Sequence, residues 1–164
     1  MVILGIDPGI AITGYGLINE EDTGEISCMA CGVIRTEIGL SQPDRLLQLF
    51  NGLNQLIEQY KPASAAVEKL FFQKNVKSAM SVSQARGVVL LACARAGVPV
   101  YEYAPVEVKQ AVAGYGKADK KQIQEMVKVL LQMDTIVKPD DAADALAIAI
   151  CHLNSHRYYG MIES

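Results

Sequence analysis

The sequence predicts a single α/β domain: a mixed five-stranded sheet with helices on both faces. Three observations lead there. Three strand-like segments follow one another at the N-terminus without an intervening helix, the mark of an antiparallel meander. Strand-like and helical segments then alternate, which requires parallel strands joined by helical crossovers. Finally, Val2-Ile3-Leu4-Gly5-Ile6 is a continuous apolar run, as expected of a central strand buried on both faces.

The elements follow in order. Asp7-Pro8-Gly9 ends the first strand with a turn, and residues 14–20 and 25–35 are the next two strands, joined through Asp22-Thr23-Gly24. Ser41-Gln42-Pro43-Asp44 has the capping-box pattern of a helix start. Leu46, Leu49, Phe50, Leu53, Leu56 and Ile57 then recur at helical spacing until Pro62. Residues 63–70 read as a short strand carrying Glu68, and residues 75–96 as a long helix closed by Gly97 and Pro99. Residues 98–103 form the fifth strand. After Pro105 come two helical stretches separated by Gly114-Tyr115-Gly116, the second spanning about 119–133 with Ile123, Met126, Val127, Leu130 and Leu131 on its core face. The last helix starts near Pro139-Asp140 and runs to about His156. Residues 1–156 are thus expected to form one domain, with 157–164 as a flexible tail.

The chain has 164 residues, about half of them apolar and a fifth charged, a composition suited to one globular core. No apolar run approaches the ~20 residues of a membrane span, and the N-terminus lacks the basic region of a signal peptide. A cytoplasmic protein without a membrane partner is expected. Cys28-Met-Ala-Cys31 has the spacing of a zinc pair, yet no second pair or His cluster completes it. All four cysteines, with Cys93 and Cys151, are expected to be structural and reduced. The net charge of −3 hides an uneven distribution: three Lys/Arg against eight Asp/Glu in residues 1–67, ten against five in 68–128, and two against five in 129–164. The basic middle suits a local phosphate-binding face, although charge alone favours a solvated surface.

Four carboxylates stand in apolar company. Asp7 and Glu68 end the first and fourth strands; Asp141 and Asp144, three apart, share one face of the last helix. Asp144 opens the run Asp144-Ala-Leu-Ala-Ile-Ala-Ile, where an unpaired carboxylate would cost several kcal/mol, so it needs a partner. Oxygen-only donors suit Mg²⁺ or Mn²⁺ rather than zinc. Two such ions ~4 Å apart can cleave a phosphodiester. Singly, each acid also has a plainer reading: Asp7 as an Asx-turn residue, Asp141 as a complement to the helix dipole, Glu68 as the partner of a surface lysine.

Gly5-Ile6-Asp7-Pro8-Gly9 followed by Thr13-Gly14-Tyr15-Gly16 resembles the opening of the RuvC family, the bacterial crossover-junction endodeoxyribonucleases. Gln84-Ala85-Arg86-Gly87-Val88 resembles that family's central helix, and Asp141-Ala142-Ala143-Asp144-Ala145-Leu146-Ala147-Ile148-Ala149 its acidic C-terminal motif. The resemblance runs from about Val2 to His156. It implies an RNase H-like fold, a homodimer, and a site in each subunit holding two Mg²⁺ ions, with Mn²⁺ as a possible substitute. The catalytic and metal-binding acids fall on Asp7, Glu68, Asp141 and Asp144. The implied substrate is a four-way DNA junction, resolved by paired nicks in strands of like polarity during recombination and repair, alongside the branch-migration complex of RuvA and RuvB. DNA contacts are implied at Phe71, whose ring can stack on an unpaired base, and at Lys109 and Lys120 near the scissile phosphate. Phe72 occupies an apolar position of the same loop. Lys74 and Arg86 are looser phosphate contacts, as are Lys117 and Lys121.

Other functions share parts of this pattern. An RNase H-like nuclease acting on structured RNA or RNA–DNA hybrid shares the acids, though the Phe71 loop and the Asp141–Asp144 spacing favour junction DNA. Gly-Ile-Asp-x-Gly also opens the phosphate hairpin of sugar kinases and actin-like ATPases, but those folds need a second lobe. A binding protein without catalysis is at odds with the complete acidic quartet.

Overall fold

The N-terminal apolar run forms β1 (Val2–Asp7), followed by β2 (Ile12–Glu20) and β3 (Ile26–Arg35). Then come α1 (Gln42–Tyr60), β4 (Ser64–Glu68), α2 (Val76–Arg95), β5 (Val100–Tyr103), α3 (Pro105–Ala113), α4 (Lys120–Leu130) and α5 (Asp140–Ile162). This computed structural model describes residues 1–70 and 76–162. The sheet order is β3-β2-β1-β4-β5. The meander is antiparallel, and β4 and β5 run parallel to β1, as the alternation of segments predicts.

Helices cover both faces. On one, Leu49, Leu53 and Ile57 of α1 and Ala85, Val89 and Ala92 of α2 pack on Leu4, Ile6 and Val67. On the other, Val108 and Val112 of α3, Val127 of α4 and the apolar stripe of α5 pack on Ile3, Ile18 and Ala66. β1 therefore contributes to both cores, the reason its sequence shows no polar alternation. Ser41 caps α1 by accepting from the Asp44 amide, the first half of the capping box.

Two glycines set how closely α5 lies on the sheet. A Cβ at Gly5 would stand 2.0 Å from the Ala145 carbonyl oxygen, and one at Gly14 would stand 2.0 Å from that of Asp141. The helix backbone thus rests directly on β1 and β2, and its many alanines permit that approach. The end of α5 departs from expectation: the helix continues past His156 to Ile162, taking in most of the segment set apart as a tail. Arg157 explains the extension, since its Nε lies 2.6 Å from Glu20 Oε1 and its Nη2 2.7 Å from the Gly24 carbonyl, tying the last turns to the β2–β3 connection. No helix among the described residues is long and apolar enough to cross a membrane.

Candidate active site

The site lies where the strands end beneath the start of α5. β1 and β4 run parallel with Ile6 opposite Val67, so the next residues, Asp7 and Glu68, stand side by side at the tips of adjacent strands, about 5 Å apart along the ladder direction. The close seating of α5 brings Asp144 over the same point. All three acids line one open cleft of about 280 Å³, together with Lys109 of α3 and Asp119 and Lys120 at the start of α4. Val108, Ala118, Ile123, Ala147 and Ile148 form its apolar wall.

The acids repel one another electrostatically. Burial pushes the Asp7 carboxyl up to about 7, and the charges of Asp144, Asp141 and Glu68 push the same way, against Lys120. Burial and then Asp144 raise Glu68, with Lys109 opposing. Asp144 is likewise raised by burial and by Asp141 and Asp140, while Lys120 draws it down. Asp141 does not line the cleft itself; its negative charge reaches Asp7 and Asp144 from the first turn of α5.

Lys120 connects the cleft to its rim. Its ammonium lies 3.2 Å from Asp140 and 3.6 Å from Asp144, and Gln124 donates to the other oxygen of Asp140 at 2.9 Å. Burial disfavours the Lys120 charge, yet the Asp140 hydrogen bond and the Asp144 charge outweigh it and raise the lysine. Among the described residues no three Cys, His or carboxylate side chains close around one point, so gathering these acids on a shared cation requires side-chain rotation. The donor chemistry nonetheless fits a hard dication: oxygen donors only, like charges in mutual repulsion, and one carboxyl raised first by burial and then by those neighbours.

The structure thus brings together Asp7, Glu68, Asp144, Lys109 and Lys120, with Asp141 at the edge. Arg86 lies elsewhere: its guanidinium pairs with Glu102, bridging α2 to β5 outside the cleft. Phe71, Phe72 and Lys74 lie outside the described residues. Lys117 and Lys121 are exposed near the start of α4. Sequence reasoning missed Asp119 and Asp140. The first was visible as the N-cap of Asp119-Lys-Lys-Gln122, whose reciprocal hydrogen bonds the structure contains. The pairing of Asp140 with Lys120 spans twenty positions and carried no local signal.

Comparison with known proteins adds independent findings. The family model described as "Crossover junction endodeoxyribonuclease RuvC" matches residues 3–152. A crossover junction endodeoxyribonuclease RuvC of Roseiflexus sp. is 60% identical over 149 residues, covering 91% of this chain and 88% of that protein. Among solved structures, Thermus thermophilus RuvC matches with a TM-score of 0.89 at 36% identity, over 96% of each chain. T. thermophilus RuvC in complex with a Holliday junction substrate matches with a TM-score of 0.91 at 35% identity, again over 96% of both chains.

Proposed function

Because the chain belongs to the RuvC family of crossover junction endodeoxyribonucleases, nucleases with an RNase H-like fold, we propose that Asp7, Glu68, Asp141 and Asp144 form its metal-dependent active centre and that four-way junction DNA enters the cleft above them. The observation that carries this reading is the cleft itself: three half-buried, mutually repelling carboxylates with Lys109 and Lys120 at its wall. When bound, two Mg²⁺ ions, or Mn²⁺ in their place, supply water activation and neutralisation of the leaving oxygen.

The protein's own groups do the rest. Asp7, flanked by the other three acids, is the central donor; Glu68 and Asp144 hold its two sides, and Asp141 completes the set from the rim. Lys109 and Lys120 hold the scissile phosphate and offset charge that develops on it. The apolar wall of Val108, Ile123 and Ile148 lowers the local dielectric on one side of the cleft and strengthens these interactions. Hydrolysis then leaves a 3′-hydroxyl. Phe71 stacks on an unpaired base at the crossover, and Lys74 and Arg86 lie along the flanking backbone.

Symmetric cutting requires two such sites related by a two-fold axis. A second copy docks on the outer face of α2, where Met80 and Leu91 are exposed and Gly87 opens on empty space. The protein works in the cytoplasm with the RuvA–RuvB branch-migration complex. The test compares Mg²⁺-dependent cleavage of a four-way DNA junction, an RNA–DNA hybrid and a stem-loop RNA by wild type and Glu68→Gln. Junction cleavage by wild type alone supports the reading. Preferential cleavage of either RNA substrate, or full activity of Glu68→Gln, overturns it.

A further inference from the structure

β3 carries two thiols that plain strand geometry would send to opposite faces. Side chains alternate along a strand, so Cys28 and Cys31, three positions apart, should diverge. The β2–β3 ladder breaks that alternation: Leu17 pairs with Ala30 and Ile18 with Cys28, leaving Met29 as an extra residue. Packing on either side follows the break. Ile26, Cys28 and Cys31 all abut the core beneath α5, whereas Ala30 and Ile34 abut the opposite core. The bulge therefore makes Cys28 and Cys31 successive residues on one face, where the two thiols interact with each other. Both are half-buried and accessible, whereas Cys93 and Cys151 are buried.

We propose that Cys28 and Cys31 form a redox-active dithiol whose substrate class is hydroperoxides, with Cys31 as the attacking sulfur and Cys28 as the resolving one. The Cys31 thiolate attacks one peroxide oxygen and the O–O bond breaks. The departing hydroxide or alkoxide takes up the proton that Cys31 released, and the sulfur becomes a sulfenic acid. The Cys28 sulfur then displaces that hydroxyl: an S–S bond forms, the S–O bond breaks, and water leaves with the Cys28 proton. Two thiols lose two electrons in total, and one peroxide is reduced to two waters, or to water and an alcohol.

The surroundings suit these roles. The neighbouring Cys28 thiol lowers the Cys31 thiol, against the effect of burial, which favours the thiolate there. Burial instead raises Cys93 to about 11 and Cys151 to about 12, leaving them inert. A zinc site would need further ligands, and none converges on the pair among the described residues. β3 is an edge strand, so its outer side has no ladder to oppose the movement that bridging requires.

The experiment exposes the whole protein to stoichiometric hydrogen peroxide near neutral pH, followed by alkylation, intact mass measurement and peptide mapping. Wild type should lose two hydrogens and two alkylation sites, mapped to Cys28 and Cys31, and dithiothreitol should restore both. Cys28→Ser should stop at a sulfenic acid on Cys31 that dimedone traps; Cys31→Ser should react roughly tenfold more slowly or less. Deleting Met29 restores plain alternation and should abolish the bridge with both thiols kept. If that deletion unfolds the chain, the two serine variants decide alone. Retention of both alkylatable thiols in wild type, a bridge mapped to Cys93 or Cys151, or equal reactivity of the two serine variants overturns the proposal.

Discussion

Replacing Asp7 with Asn removes the carboxylate that the fold stabilises least in its charged form. In the native protein this group is pushed up to about 7 from 3.8, first by its partial burial and then by the charges of Asp144, Asp141 and Glu68. Its contribution to stability is therefore fully present below about pH 3.8, declines as pH rises, and is gone above about 7. Between about pH 5 and about pH 8 the native state holds a proton over roughly two units that the unfolded chain does not hold. At ~1.4 kcal/mol per unit, wild type loses about 3 kcal/mol from this group. Asparagine has no such loss. The difference in unfolding free energy, Asp7→Asn minus wild type, should therefore grow by about 3 kcal/mol over that interval, or roughly 6–12 °C in melting temperature for a chain of this size. The assay is urea denaturation of both proteins in chelator at equal protein concentration, at both pH values. A difference independent of pH would refute the electrostatic account of the cleft. The same variant should cleave no junction, stability gained at the expense of the site's chemistry.

Other consequences follow from the same geometry. Gly14→Ala places a methyl against the Asp141 carbonyl, so it should cost about 3 kcal/mol by overpacking and lower cleavage more than junction binding, read by paired denaturation and nicking assays. Glu68→Gln should reduce Mg²⁺-dependent cleavage at least about a hundredfold, since even outer partners of metal sites are worth 10–100-fold, with junction affinity preserved in a gel-shift assay. Lys120 draws down both Asp7 and Asp144, so Lys120→Ala should move the acidic limb of the pH–rate profile to higher pH as well as slow the reaction. His152 is buried, accepts or donates at both ring nitrogens to Ser64 at 2.9 Å and Tyr103 at 2.7 Å, and is lowered to about 4 by burial and then by His156. Its contribution is present above about 6.5 and lost as pH falls through about 4, so wild type should lose about 3 kcal/mol over that window and His152→Phe markedly less, measured by denaturant melts.

Much of this architecture was legible because local chemistry determined it. Continuous apolar strands, the Ser41 cap and the helical spacing of α1 and α4 depend on neighbours in sequence, and the structure places them where those patterns indicate. The convergence of Asp7, Glu68 and Asp144 was legible for a related reason: strand ends and one helix face leave few places for acids set in apolar runs. What stayed hidden depends on distant partners. Lys120 reaches Asp140 and Asp144, Arg86 is engaged by Glu102, and Arg157 extends α5 by binding Glu20. The β3 bulge was equally hidden, since one added residue changes which face Cys31 occupies without altering strand propensity.

On the proposed reading, these acids drive metal-dependent cutting of junction DNA. The most direct test is cleavage of a synthetic mobile four-way junction with Mg²⁺ by wild type and Asp144→Asn, with binding measured in parallel. Paired symmetric nicks from wild type, and binding without nicks from the variant, are the predicted result. Cleavage by Asp144→Asn at the wild-type rate, or failure of wild type to bind the junction, would contradict the account.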